Sequence, residues 1–204
     1  MKAMIVVLSP RESRDLLNGD LSVLVRKKFP KDYVGWVYIY CTKGGKYLFK
    51  DIYAEKNGEG KLYYVDDKEH DSWSQQLNGK VVAKFLCDKV EKLIDRDTKE
   101  KNHYSLGTET LQIDELEKMS CLTIQELVKY IGKGTEWRKG KYGYAIHITK
   151  VEPFDKPKEI NEFIICRERK HKCKQKFSDY PCKKCVSMNL LTRAPRNGWC
   201  YMEV

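Results

Sequence analysis

Ala3-Met4-Ile5-Val6-Val7-Leu8 runs directly into Ser9-Pro10-Arg11-Glu12, and that junction sets the pattern of the chain. The first six residues read as a short strand, because β-branched and apolar side chains dominate them. Ser9 is a natural helix N-cap, and Pro10 suits a first helical turn. Leu16 and Leu17 close that helix, and Asn18-Gly19 supplies a left-handed stop. Outward from this unit the chain is mostly strands. Residues 21–26 and 36–41 read as the second and third, and 47–52 with 62–65 as a hairpin across Asn57-Gly58-Glu59-Gly60. Residues 80–94 read as one long strand, 95–107 as a polar loop and 141–151 as another strand. A turn with two prolines follows at 153–160, and 197–204 is a last strand. Thr123 and Glu126 form a capping box that opens a helix with Leu127, Val128 and Ile131 on its apolar face. Many strands, two or three short helices and no βαβ alternation predict an α+β protein built on a mixed β barrel with peripheral helices.

The 204 residues are 41% hydrophobic, 11% aromatic and 33% charged, which is a globular composition. No apolar run approaches a membrane span of roughly 18 residues. The apolar start is too short for a secretory signal, so a cytoplasmic location is expected. Lys and Arg number 39 against 29 Asp and Glu, a net +10. The excess sits at the two ends of the chain and the middle is acidic. A basic surface favours polyanions, nucleic acid above all. Gly-rich phosphate loops, a Gly-x-Ser-x-Gly elbow and a His-Glu-x-x-His helix are all missing from the sequence.

Eight cysteines divide into two groups. Cys41, Cys87, Cys121 and Cys200 lie in apolar surroundings and read as buried structural thiols. Cys166, Cys173, Cys182 and Cys185 crowd into one short basic segment with a Cys-x-x-Cys knuckle at its end. Four thiolates there suit one tetrahedral structural zinc, with His171 able to replace Cys173. Free thiols and a Cys182/Cys185 redox pair are the other readings. Arg167, Arg169, Lys170, Lys172, Lys183 and Lys184 would rim the knuckle, as in zinc modules that contact RNA. This makes 161–190 a basic Cys-rich insertion. A second basic set is Arg11, Arg14, Arg26, Lys27, Lys28 and Lys31. Trp36, Tyr38 and Tyr40 alternate along one strand, as core or as a stacking face. His147, between Ile146 and Ile148, is a weak candidate for acid–base chemistry beside a structural reading.

The order of these runs resembles the ASCH family of the PUA-like superfamily, in particular ASCH proteins of phages and prophages. The resemblance is carried by Leu8-Ser9-Pro10, Leu16-Leu17-Asn18-Gly19, the stretch from Gly19 to Lys27 and Tyr38-Ile39-Tyr40-Cys41-Thr42. Gly79-Lys80-Val81-Val82-Ala83, Phe85-Leu86-Cys87-Asp88, Tyr144-Ala145-Ile146-His147-Ile148, Asp155-Lys156-Pro157-Lys158-Glu159 and Trp199-Cys200-Tyr201 complete it. It spans nearly the whole chain and implies one domain over 1–204. It implies a five- or six-stranded barrel with a cleft beside the first helix, near Arg11 and Arg26, and RNA or single-stranded nucleic acid as partner. Some members deacetylate acetylcytidine. The resemblance puts their signature lysine on Leu21 and their signature threonine on Leu24, and leucine can neither take a proton nor attack. Arg26 matches the family arginine. The expected function is therefore non-catalytic nucleic-acid binding. The alternatives are a diverged amidohydrolase or ribonuclease using Arg26, His147 and a cleft carboxylate or lysine, and a phage-encoded protein that binds and modulates a host protein.

Overall fold

The computed structural model describes residues 2–54, 60–67, 75–95, 106–131, 143–165, 190–196 and 198–203. In chain order the elements are β1 (Lys2–Leu8), α1 (Pro10–Leu17), β2 (Val23–Arg26), β3 (Gly35–Cys41), β4 (Tyr47–Ala54), β5 (Gly60–Asp67) and β6 (Gln75–Gln76). Then come β7 (Val81–Lys92), β8 (Ile94–Asp95), β9 (Leu106–Gly107), α2 (Ile113–Ser120), α3 (Ile124–Ile131), β10 (Tyr144–Lys158), β11 (Ile164–Ile165) and β12 (Trp199–Glu203). The protein is a mixed α+β fold, as its patterning predicts, and among the described residues no helix is long and apolar enough to cross a membrane. The chain divides into two compact units.

One unit comprises Met1–Ser13, Trp36–Lys84 and Pro153–Val204. Its main sheet has the strand order β11-β12-β1-β3-β7. β1 lies parallel to β3, with Ile5 opposite Tyr38, and antiparallel to β12, with Ile5 opposite Cys200. Met4, Ile5 and Val6 are all fully buried. That explains the unbroken apolar run, since a strand covered on both faces needs no polar alternation. Ala3, Ile5, Tyr38, Tyr40, Phe163 and Met202 form the core on one face, so Tyr38 and Tyr40 are core residues. β4, β5 and β6 form the predicted hairpin and a short third strand. The capping box at α1 is present: the Glu12 amide donates to Ser9 Oγ over 3.2 Å, and the Ser9 amide donates to Glu12 Oε2 over 2.8 Å.

The other unit comprises Arg14–Gly35 and Phe85–Glu152. Here β10 lies between β7 and β2, and α2 and α3 cover one face. Val23, Val25 and Ala145 meet Leu116, Leu127 and Ile131 in its core. The Thr123–Glu126 box is present, with the Thr123 amide 2.9 Å from Glu126 Oε2. The Ser22 amide donates to the Met119 carbonyl over 2.9 Å and ties the start of β2 to the end of α2.

Four local expectations are corrected. The strand expected at 141–151 runs on to Lys158, straight through Pro153 and Pro157. These prolines are four residues apart, so their missing N–H groups fall on the same side of the strand and the ladder on the other side survives. α2 stands where no helix was expected. The ends of the 95–107 loop pair as β8 and β9. Cys121 and Cys200 are only half-buried, unlike Cys41 and Cys87; Cys121 occupies the left-handed C-cap of α2, and Cys200 lies on β12.

Candidate functional site

Val81, Ala83, Phe85 and Cys87 point into the protein at alternate positions of β7. At the same parity Lys89 is exposed, Glu91 lies at 6% exposure, and Leu93 is fully buried. An ionised carboxylate on an apolar row costs several kcal/mol unless it is paired. Glu91 Oε2 accepts from Thr110 Oγ1 over 2.7 Å and from His147 Nε2 over 2.7 Å. Lys89 Nζ lies 3.2 Å from Oε1. Among the described residues Oε1 makes no hydrogen bond, so it meets the lysine as an ion pair. A carboxylate only accepts, which puts the imidazole proton on Nε2.

Burial pushes the Glu91 carboxyl up. The hydrogen bonds from Thr110 and His147, with the close ammonium of Lys89, outweigh it and hold the group down at about 2. Thr110 is placed by a turn in which buried Thr108 Oγ1 accepts from the amides of Thr110 (3.2 Å) and Leu111 (2.8 Å). A carboxylate this acidic is a poor proton acceptor near neutral pH. The cluster neutralises itself and orients His147.

The basic end of β2 is built differently. Val23 pairs with His147, Val25 with Ala145 and Arg26 with Tyr144. Partners across an antiparallel ladder share a face, and faces alternate along the strand. His147 therefore projects with Val23 and Val25, and Arg26 projects with Leu24 on the opposite face. The register does not bring Arg26 and His147 together. Arg26 is half-buried, with Nη1 donating to the Val25 carbonyl over 2.8 Å. Lys27 and Lys28 are exposed, and Lys27 Nζ lies 5.5 Å from the ring centroid of Tyr130, itself 39% exposed. Gly143 allows this strand end to close up, since a Cβ there would stand 3.0 Å from the Arg26 carbonyl. Leu21 and Leu24 are 4% and 1% exposed. Arg14 is turned onto buried Asp15, with Nε 2.8 Å from Oδ1. Arg11 is exposed and lies in the other unit.

A solved ASCH structure is similar to this chain. It is the crystal structure of ASCH from Zymomonas mobilis, at 12% identity and a TM-score of 0.45, over 78% of this chain and 75% of that one. No family model matches the chain, and no curated protein matches it.

Cys166, Cys173, Cys182 and Cys185 lie outside the described residues, as do Arg167, Arg169, Lys170, Lys172, Lys183 and Lys184. Among the described residues no group of His, Cys, Asp and Glu has the makings of a metal site. Sequence reasoning missed Glu91, Lys89 and Thr110. The signal for Glu91 was available as an acidic residue, paired by parity with Lys89, on a strand whose preceding positions of that parity are apolar. Nothing in the sequence brings Thr110 to it.

Proposed function

We propose that this protein is a nucleic-acid-binding module, acting on RNA or single-stranded nucleic acid by binding and not by catalysis, on a single ASCH/PUA-like barrel. The observation that carries the reading is the end of β2, where Arg26, Lys27 and Lys28 follow one another and Lys27 stands over the exposed ring of Tyr130. A guanidinium fork clamps a phosphate or a base edge, ammonium groups add point charge, and a ring accepts a stacked base. The net charge of +10 supports the same partner.

The non-catalytic part rests on the buried leucines at 21 and 24 and on the self-neutralised Glu91 cluster. In this reading the 161–190 insertion carries a structural zinc on Cys166, Cys173, Cys182 and Cys185, and its basic rim adds phosphate contacts.

The test is fluorescence anisotropy of a labelled single-stranded RNA at increasing salt. Neutralising about three phosphates gives a log–log slope of about −2. A protein that binds no RNA at low salt, while retaining an acidic protein partner through purification, contradicts the reading.

A further inference from the structure

Among the described residues, two more aromatic rings carry a lysine, and both lie in the unit that holds β1. Trp36, on β3, is half-buried, and Lys84 Nζ of β7 lies 4.1 Å from its ring centroid. Phe154, on β10, is half-buried, and Lys158 Nζ lies 5.1 Å from its centroid. Both rings pack against the core that contains Tyr38. Tyr38 touches Phe154 at 5.9 Å between centroids and is itself braced by Phe163 at 5.5 Å.

We propose that the Trp36–Lys84 and Phe154–Lys158 pairs form a stacking surface for the unpaired bases of a single-stranded nucleic acid. This inference rests on the nucleic-acid reading above and assigns it a second surface. Rings anchored on a core lose little freedom when a base lands on them. An exposed cation–π pair is weaker than a base stacked on an aromatic ring, so a base can displace the ammonium. The lysine stem is flexible, and the displaced charge can follow the phosphate of the same nucleotide. A duplex keeps its π-faces inside its own stack, so the surface selects single strands. Around Phe154 the charges of Asp155 and Glu159 offset those of Lys156 and Lys158, and Glu159 also pairs with Lys80 at 3.5 Å. Trp36 with Lys84 is therefore the stronger of the two contacts.

The experiment is anisotropy with a labelled single-stranded oligonucleotide at low salt, against its duplex, for the full chain and its variants. Trp36→Leu keeps an apolar body without a π-face and should weaken binding about tenfold. Trp36→Phe restores a ring and should stay within a few-fold of the parent. Phe154→Leu and Lys84→Gln should each lose about threefold, and Lys84→Gln should also flatten the salt dependence. Tyr47→Leu, at an exposed aromatic of β4, is the control and should change nothing. Should Trp36→Leu fail to fold, the fluorescence quench on binding is compared between the parent and Trp36→Phe. A larger quench in the parent supports stacking on Trp36, and equal quenches overturn it. Oligonucleotide binding that Trp36→Leu and Phe154→Leu leave intact overturns this inference and spares the reading it rests on. Failure of the parent to bind any oligonucleotide overturns both.

Discussion

Two charged regions of the same unit make opposite uses of charge. Around Glu91 one buried carboxylate is met by a hydroxyl, an imidazole and an ammonium, all within 3.2 Å. At the end of β2 three consecutive cations stand together with exposed Lys27 and Lys28 and a tyrosine ring. A charge taken out of water must be paired within the protein or the fold loses stability. An exposed charge keeps most of its hydration and costs the fold little. In the proposed reading the first region serves stability and the second recognition, and substitutions should separate them.

The largest expected effect is on the closed side. Glu91→Ala leaves Thr110 and half-buried His147 without their acceptor and removes the counter-charge of Lys89, which should cost about 3 kcal/mol in urea unfolding. RNA affinity per folded molecule should stay at the parent value. A large affinity loss with unchanged stability would move Glu91 into the recognition surface.

The pH dependence sharpens the same point. Glu91 is held at about 2 against an ordinary 4.5. Because the folded state lowers it, its contribution is fully present above about pH 4.5 and is lost as the pH falls towards 2. The parent should lose stability over that window, by up to about 3 kcal/mol, more steeply than Glu91→Gln. Parallel curves for the two proteins would mean that the cluster is not coupled to folding.

On the open side the effects are smaller and appear in binding. Arg26→Ala should weaken RNA binding about tenfold, because one guanidinium fixes a phosphate or base in two-point geometry. Lys27→Ala should lose about threefold and reduce the salt slope by less than one. Both variants should unfold within about 1 kcal/mol of the parent, which chemical denaturation checks. The smallest effect on the core belongs to Cys182→Ser. If the proposed zinc site is there, it should abolish the zinc that metal analysis reads, and it should weaken RNA binding mildly. The thermal transition should scarcely move, because both described cores are built from other residues.

Much of the fold was legible where local chemistry decides it. The Ser9 cap, the Thr123–Glu126 box, the left-handed Gly19 and the β1 run follow from side chains a few residues apart. The length of β10 was not legible, because its prolines read as breakers until their common parity is noticed. α2 was passed over although Ile113, Leu116 and Met119 recur at helical spacing, because polar residues separate them. In the candidate site, the basic run at 26–28 is plain in the sequence. Its ring partner Tyr130 is about a hundred residues away and is brought in only by tertiary packing. Likewise His147 could be singled out, but its separation from Arg26 depends on the β2–β10 register, which no local pattern fixes.

The most direct test of the central claim is RNA anisotropy at low salt for the parent and for Lys27→Glu/Lys28→Glu, both checked for folding by circular dichroism. Reversing two exposed cations leaves the Glu91 cluster and both cores untouched. The account predicts a folded double variant that binds at least tenfold more weakly than the parent. A folded double variant that binds RNA as tightly as the parent would contradict it.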